Sequence, residues 1–169
     1  MPINAQVLLS VLSHESTSGD ISQTLRVTPA TYSSSLGDGT GANQAQVAWS
    51  DSGALAASGN ALIDLLGLAD ERGDVSFSAV KVLYISNTGQ TALSLETSNQ
   101  DFTDEWSGGP LAIAASALTL PAGSVAIFAN PSATGWPASG QAQVFRVVNA
   151  SSTTAGTYDI VLIGEGTIT

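Results

Sequence analysis

The sequence predicts an all-β protein, a β-sandwich or jelly-roll-like barrel of about nine or ten short strands with at most one short helix. Apolar residues recur mostly at every second position, which is the periodicity of half-buried strands. The apolar runs are short, and they are separated by Gly, Pro and Asn at turn-like spacings. Only 11% of the 169 residues are charged, and Ser, Thr, Gly, Asn and Gln fill the polar positions.

The first half of the chain contains both clear and ambiguous segments. Strands are predicted at residues 3–12, 21–28 and 45–50, with Val47 and Trp49 on one face of the last, and a loop at residues 31–43. Residues 54–68 carry leucines at spacings that would suit a helix, but Gly59 and Asn60 interrupt them. Two short strands around that break are therefore expected, with a helical turn allowed at the end.

The second half is dominated by the segment VSFSAVKVLYIS at residues 75–86. Its apolar residues lie on both faces of the predicted strand, which is typical of a central strand. The turn sequence that begins at Asn87 predicts that residues 91–97 return as its hairpin partner. Further strands are expected within residues 111–120, 124–129, 141–149 and 158–163.

A single domain is expected over residues 33–169, because no linker or internal repeat interrupts it. Residues 1–32 are interpreted as an N-terminal arm or strands that engage in subunit contacts.

The charge balance argues against several classes of partner. Fourteen acidic and four basic residues give a net charge of −10 and a pI near 4.1. Such a surface repels nucleic acid and anionic membranes, so neither is expected as a partner. The chain has no cysteine, which excludes disulfides, thiolate metal sites and a cysteine nucleophile. We expect neither a standard secretory signal at the N-terminus nor a membrane-spanning helix.

The segment LGDGTGANQ at residues 36–44 has glycines at every second position. A dinucleotide-binding loop needs G-x-G-x-x-G, and a phosphate-binding P-loop needs a lysine after its last glycine. Asp38 alone supplies too few carboxylates for calcium. A structural turn is therefore predicted.

Other residues that could support chemistry are isolated or lack a recognised pattern. His14 is the only histidine and no G-x-S-x-G elbow accompanies it, so no catalytic triad is predicted. The acids of NQDFTDEW, namely Asp101, Asp104 and Glu105, could hold a cation or act as a glycosidase pair. They lack calcium-loop spacing, and a solvated loop anchored by Phe102 and Trp106 is preferred. No catalytic, cofactor-binding or metal-binding residue is predicted, and no cofactor is expected.

Large aromatic side chains are the candidate interaction residues: Trp49, Trp106, Trp136 and Phe102. Tryptophans on a β protein can form a sugar-stacking platform, but they more often fill cores or anchor interfaces. The tripeptide Arg72-Gly73-Asp74 matches a cell-attachment sequence, but a glycine turn explains it more simply. The glycosylation sequon at Asn149 carries little meaning in a chain for which no secretory signal is expected.

The run GTGANQAQVAWSDSGALAASGNALIDLLGLADERGDVSFSAVKVLYISNTG resembles a family of small structural proteins of tailed bacteriophages. In that family a GTGANQA-like stretch precedes an LAAS-like strand, an L-D-L segment, an Asp/Gly turn and an F-x-x-(I/V)-K-x-(I/L)-Y-(I/V) strand. The segments LTLPAGSVAIFANPSATGW, QAQVFRVVNAS and TYDIVLIGEG extend the resemblance to about residues 36–166. Residues 1–32 match no part of it.

The resemblance implies a non-enzymatic virion protein made in the host cytoplasm. The expected role is a capsid decoration (cement) protein on the outer shell, bound to the major capsid protein as a homo-oligomer, with a trimer favoured. A tail- or fibre-associated protein with a carbohydrate- or receptor-binding role using Trp106 or Trp136 is the alternative. A hydrolase using the Asp101–Glu105 loop is a third hypothesis.

Overall fold

A computed structural model describes residues 2–11, 14–16, 24–26, 30–96, 105–111, 117–138 and 143–169, with the backbone alone at 11, 14–16, 24–26 and 30. These residues form fifteen strands and no helix. The strands are β1 (Ala5–Val11), β2 (His14–Ser16), β3 (Thr24–Arg26), β4 (Ala30–Asp38), β5 (Gln44–Ala45), β6 (Val47–Leu55), β7 (Asn60–Asp64), β8 (Leu68–Asp70), β9 (Gly73–Asn87), β10 (Leu93–Glu96), β11 (Ala117–Leu120), β12 (Val125–Ala129), β13 (Trp136–Pro137), β14 (Val144–Asn149) and β15 (Gly156–Ile168).

The strands are arranged in two larger sheets and two smaller ones. The larger sheets have the orders β12-β9-β15-β6, with β8 and β13 also paired to β9, and β11-β10-β14-β7. The smaller ones are β1-β4-β5 and the pair β2-β3. The prediction of an all-β fold is confirmed, and the packed sheets are consistent with a β-sandwich. The described strands form no closed barrel.

The main core lies between the two larger sheets. The six-stranded sheet contributes side chains such as Phe77, Leu83 and Ile160, and the four-stranded sheet contributes others such as Leu95 and Phe145. Burial alternates along β14 and along most of β15, as expected for strands with one face on the core. Each sheet therefore buries one face against the other.

Strand β9 is central in its sheet, as predicted, but its alternation is not regular. Its pairing with β15 skips one residue at Ser78 and one at Lys81, which are two β-bulges on β9. Each bulge shifts the alternation by one residue. The core-facing positions therefore change from odd numbers at Phe77 to the even number of Val80, and back to odd at Leu83.

The three-stranded sheet covers part of the other face of the six-stranded sheet. A second apolar cluster joins Val7, Leu36 and Ala45 to Val82, with Ile163 packed beside them. Val82 and Ile163 are directly opposite each other on β9 and β15. The N-terminal sheet is therefore attached to the sandwich through this small cluster.

The prediction of a loop at residues 31–43 is wrong for most of its length. Residues up to Asp38 belong to β4, which pairs with β1 from Ala5↔Leu36 to Val11↔Ala30. The serine-rich composition favoured a loop, but Tyr32, Ser34 and Leu36 alternate on one face of the strand. Cross-strand pairing with β1 therefore outweighs the loop-like composition.

The predicted hairpin between residues 75–86 and 91–97 is also wrong. Strand β10 pairs with β11 and β14 in the opposite sheet, because β15 and β12 already occupy both edges of β9. The Asn87 side chain stabilises the crossing between the sheets. It is buried and donates hydrogen bonds to the carbonyls of Thr91, Leu120 and Pro121 at 2.7, 2.9 and 3.0 Å.

Where the structure describes them, the other segments predicted as strands contain strands, although several bounds move. Residues 54–68 form the end of β6, a turn and β7, and the turn contains Ser58 at φ 56°. No helix follows. Strand β15 is longer than predicted, and within 21–28 the structure describes only β3. Ten of the fifteen strands have four or more residues, close to the predicted number. The predicted boundary between residues 32 and 33 falls within β4, and the division into arm and domain stays a prediction.

Candidate functional site

The glycine-rich segment after β4 folds into a closed turn. The amide N–H groups of Gly37 and Gly39 donate to the carbonyls of Asn43 and Ala45 at 2.9 and 3.2 Å. That of Gly41 donates to Gln44 Oε1 at 2.7 Å. Gly39 has φ +131°, where a side chain would be strained. These three amides bind oxygens of the turn itself, which is the arrangement of a structural turn.

A buried lysine attaches this turn to the six-stranded sheet. Lys81 is fully buried, and its Nζ donates to the Gly41 carbonyl at 2.7 Å. The same Nζ lies 2.7 Å from Glu165 Oε1 in β15. This second contact is an ion pair by distance, but Oε1 accepts no hydrogen bond of good geometry. The lysine therefore joins three segments that are distant in sequence.

Two glycines explain how Glu165 reaches Lys81. Gly164 and Gly166 flank it, and a Cβ on either would collide with the backbone of β9. The register between β9 and β15 shifts on both sides of this segment. Close approach of the two backbones, which only glycine permits here, places the carboxylate beside the buried ammonium.

Two of the predicted interaction residues lie in the core. Trp49 is buried and its Nε1 donates to the Ala69 carbonyl at 2.9 Å. Trp106 is fully buried, and its ring centroid lies 5.7 Å from that of Phe145. Its Nε1 donates to the Pro137 carbonyl at 2.8 Å. Neither indole has a face available to a ligand at the surface of the chain.

Of the other two candidate interaction residues, Trp136 is partly buried and Phe102 is not described. Trp136 in β13 is partly buried and packs against the main core. Trp136 directly precedes Pro137, whose carbonyl accepts the hydrogen bond from Trp106. The two tryptophans therefore lie in one region of the fold. Phe102 lies outside the described residues.

The acidic loop and the histidine are described only in part. Asp101 and Asp104 lie outside the described residues, whereas Glu105 forms a parallel bridge with Val144. His14 belongs to β2 by its backbone. Among the described residues, no group of three or more His, Asp or Glu side chains could hold a metal ion. No helix in this part of the chain is long and apolar enough to cross a membrane.

The tripeptide that begins at Arg72 is used structurally. The Arg72 guanidinium donates to both carboxylate oxygens of Asp70, at 2.8 and 2.9 Å, and to the Ala48 carbonyl at 2.7 Å. These hydrogen bonds lower the pKa of Asp70 to about 2. The arginine thus connects the turn between β8 and β9 to strand β6.

Asn149, the asparagine of the sequon, is also structural. Its side chain is buried and its Nδ2 donates to the carbonyls of Ala56 and Thr154 at 3.0 and 2.8 Å. A glycan would replace one of the two hydrogens on that nitrogen and so remove at least one of these hydrogen bonds, and the buried side chain leaves it no room. The folded chain therefore does not present Asn149 for glycosylation.

An exposed apolar surface on β1 and β4 was not predicted. Leu8, Leu9 and Tyr32 are 65%, 48% and 40% exposed. Residues 2–10 and 30–37 contain no charged side chain, and β1 is an edge strand with no described partner on its outer side. The sequence signal was the adjacent pair of leucines, because neighbouring residues of a strand point to opposite faces.

A cleft of about 460 Å³ lies near the N-terminus, beside Ile3, Asp38, Gln46 and Arg72. The Arg72 charge is already paired with Asp70, so the cleft offers no free guanidinium to an anionic ligand. The uncharged β1 surface is therefore the stronger candidate for an interaction site.

Comparison with protein-family models, with curated proteins and with solved structures finds no match to this chain.

Proposed function

We propose that the chain is a non-enzymatic structural protein of a bacteriophage virion, a capsid decoration protein that binds the outer shell and stabilises the major capsid subunits. The proposal starts from the resemblance of residues 36–166 to small structural proteins of tailed phages. A β-sandwich is compatible with that role, since packed sheets present rigid surfaces to neighbouring subunits.

The observation that carries the proposal is the uncharged surface of β1 and β4. The protein as a whole is acidic, with a net charge of −10, whereas residues 2–10 and 30–37 have no charge and expose Leu8, Leu9 and Tyr32. An edge strand that is apolar and uncharged favours pairing with another chain. Natural soluble proteins commonly protect such edges, so this one is well suited to a subunit contact.

The buried contacts of Lys81 are consistent with a scaffold role for the glycine turn. Its ammonium binds the Gly41 carbonyl and Glu165, which fixes the turn that follows β4 to the central strand β9. The N-terminal sheet is thereby held to the sandwich by polar as well as apolar contacts.

The test is to delete the gene from the phage that encodes this chain and to heat the purified particles. Particles that lack the protein should release DNA at a lower temperature than complete ones. Adding back the purified protein should restore the original release temperature. Unchanged heat resistance, together with recovery of the protein only in isolated tails, would favour the tail-associated alternative instead.

A further inference from the structure

Strand β1 exposes apolar side chains on both of its faces. Leu8 and Leu9 are adjacent, so they point to opposite faces of the sheet, and they are 65% and 48% exposed. A partner that covered one face of the sheet would leave the other leucine in water. A strand added at the edge of β1 that has no described partner would place side chains beside both leucines. The geometry therefore favours strand addition at this edge.

The residue pattern of β1 is compatible with a second copy of β1 as the added strand. The strand reads AQVLLSV, and it is symmetric in polarity about Leu8. Val7 and Leu9 on either side of the centre are apolar, Gln6 and Ser10 are polar, and the two terminal residues are apolar again. A two-fold contact places residue i opposite residue j and j opposite i. With this pattern, apolar residues then face apolar residues and polar residues face polar ones.

We infer that β1 pairs antiparallel with β1 of a second copy of this chain, with Leu8 on the two-fold axis. In this register Leu8 faces the Leu8 of the other copy, and Leu9 faces its Val7. Gln6 faces its Ser10, so polar residues also meet polar residues. The two three-stranded sheets become one continuous sheet across the contact.

The charge distribution supports a second copy as the partner. Two chains that each carry −10 repel each other at most approaches. The described part of β1 and its neighbour β4 has no carboxylate before Asp38, so the paired strands bring no carboxylates of their own directly opposite each other.

This inference deepens the proposed function and rests on it for its biological setting, since it names the partner of the β1 surface. A trimer needs a different, heterologous contact, so β1 pairing would join chains in twos or link trimers to each other. The contact can be measured on the isolated protein. A failure of the pairing therefore does not decide whether the protein binds capsids.

The first experiment uses cysteine trapping, because the natural chain has no cysteine. Directly opposite residues have Cβ atoms about 4.5–5.5 Å apart, near the reach of a disulfide. Leu8→Cys should form a disulfide-linked dimer under mild oxidation. Leu9→Cys should react at least about tenfold more slowly, since Leu9 and its own copy would be diagonal neighbours at about 7–8 Å.

Leu62→Cys is the matched control. Leu62 is 51% exposed on β7, which is an edge strand of the four-stranded sheet. Equal rates of dimer formation for Leu8→Cys and Leu62→Cys would overturn the inference, because they would reflect random collision. Faster trapping at Leu9 than at Leu8 would overturn the register.

The second experiment measures mass by sedimentation equilibrium at increasing protein concentration. The wild-type chain should show a concentration-dependent dimer. Leu8→Lys should shift the equilibrium to the monomer at least about tenfold, because two ammonium groups would face each other on the axis. Leu62→Lys should dimerise like the wild type. A strictly monomeric wild type whose β1 amides become protected from hydrogen exchange only on capsids would assign the edge to the shell protein and overturn self-pairing.

Discussion

Replacing Lys81 by Met tests whether the buried lysine holds the glycine turn and the bulged strands together. Met has a similar length but no charge. The substitution removes the hydrogen bond to the Gly41 carbonyl and leaves the Glu165 carboxylate without its cationic partner. Breaking a buried ion pair by removing one member costs about 3–5 kcal/mol, because the remaining charge stays desolvated.

The structure places the expected cost at the lower end of that range. Lys81 is fully buried, but the Glu165 side chain keeps 16% of its surface in water, so its unpaired charge is partly solvated. We expect Lys81→Met to lower the free energy of unfolding by about 3 kcal/mol. For a chain of this length that corresponds to a decrease in Tm of about 6–12 °C.

Urea unfolding followed by tryptophan fluorescence provides the assay, with Lys81→Met, Glu165→Gln and the double variant forming a thermodynamic cycle. Both single variants should lose stability, and the double variant should lose at least about 1 kcal/mol less than their sum. A Lys81→Met protein within about 0.5 kcal/mol of the wild type would refute the reasoning. Strict additivity of the two substitutions would refute the coupling between these side chains.

Three further predictions concern stability. Gly53→Ala should destabilise the fold by about 1–3 kcal/mol in urea unfolding, because a Cβ at Gly53 collides with the Tyr158 ring directly opposite it. Trp106→Phe should cost about 2 kcal/mol in the same assay, since it removes the indole hydrogen bond to the Pro137 carbonyl and leaves space where the fully buried ring lay. Arg72 binds Asp70 and lowers the pKa of its carboxyl group to about 2. The Asp70 carboxylate therefore stabilises the folded chain fully above its usual pKa of 3.8, and this stabilisation is lost as the pH falls from about 4 to about 2. The Tm of the wild type should therefore fall more steeply over that pH range than the Tm of Asp70→Asn.

The Gly53→Ala prediction has a matched control in Gly37→Ala. A Cβ at Gly37 meets nothing within 4 Å and, as at Gly53, no left-handed φ strains it, so only the collision differs. A loss for Gly53→Ala no larger than that for Gly37→Ala would contradict the proposed collision. Full stability of Trp106→Phe would contradict the role of the indole hydrogen bond, and parallel pH profiles for wild type and Asp70→Asn would contradict the stabilisation by the Asp70 carboxylate.

The fold class could be predicted from the sequence because period-two alternation and turn residues are local signals. Partner choice between strands is not local, and the hairpin expected for β9 shows the limit. The turn sequence at Asn87 was recognised, but the choice of sheet depends on β15, more than sixty residues away. The bulges at Ser78 and Lys81 were missed for the same reason, since a continuous apolar run gives no indication of phase shifts.

The candidate site was predictable to a smaller extent. The glycine segment was correctly interpreted as a turn, because the spacing and context of phosphate-binding loops were missing. The tryptophans had no local feature that separates core from surface, and the structure places Trp49 and Trp106 in the core. The surface of β1 and β4 on which Leu8 and Leu9 are exposed could not be predicted, because the serine-rich sequence of β4 is typical of a loop. The exposure of these leucines also depends on which neighbouring elements cover the sheet, and that is not a local property of the sequence.

Quantitative mass spectrometry of purified phage particles tests the proposed function most directly. A capsid decoration protein should be present in particles in a fixed ratio to the major capsid protein, and it should remain with empty capsids after the tails have been removed. Absence of this protein from purified particles, or its presence only in the tail fraction, would contradict the proposed role.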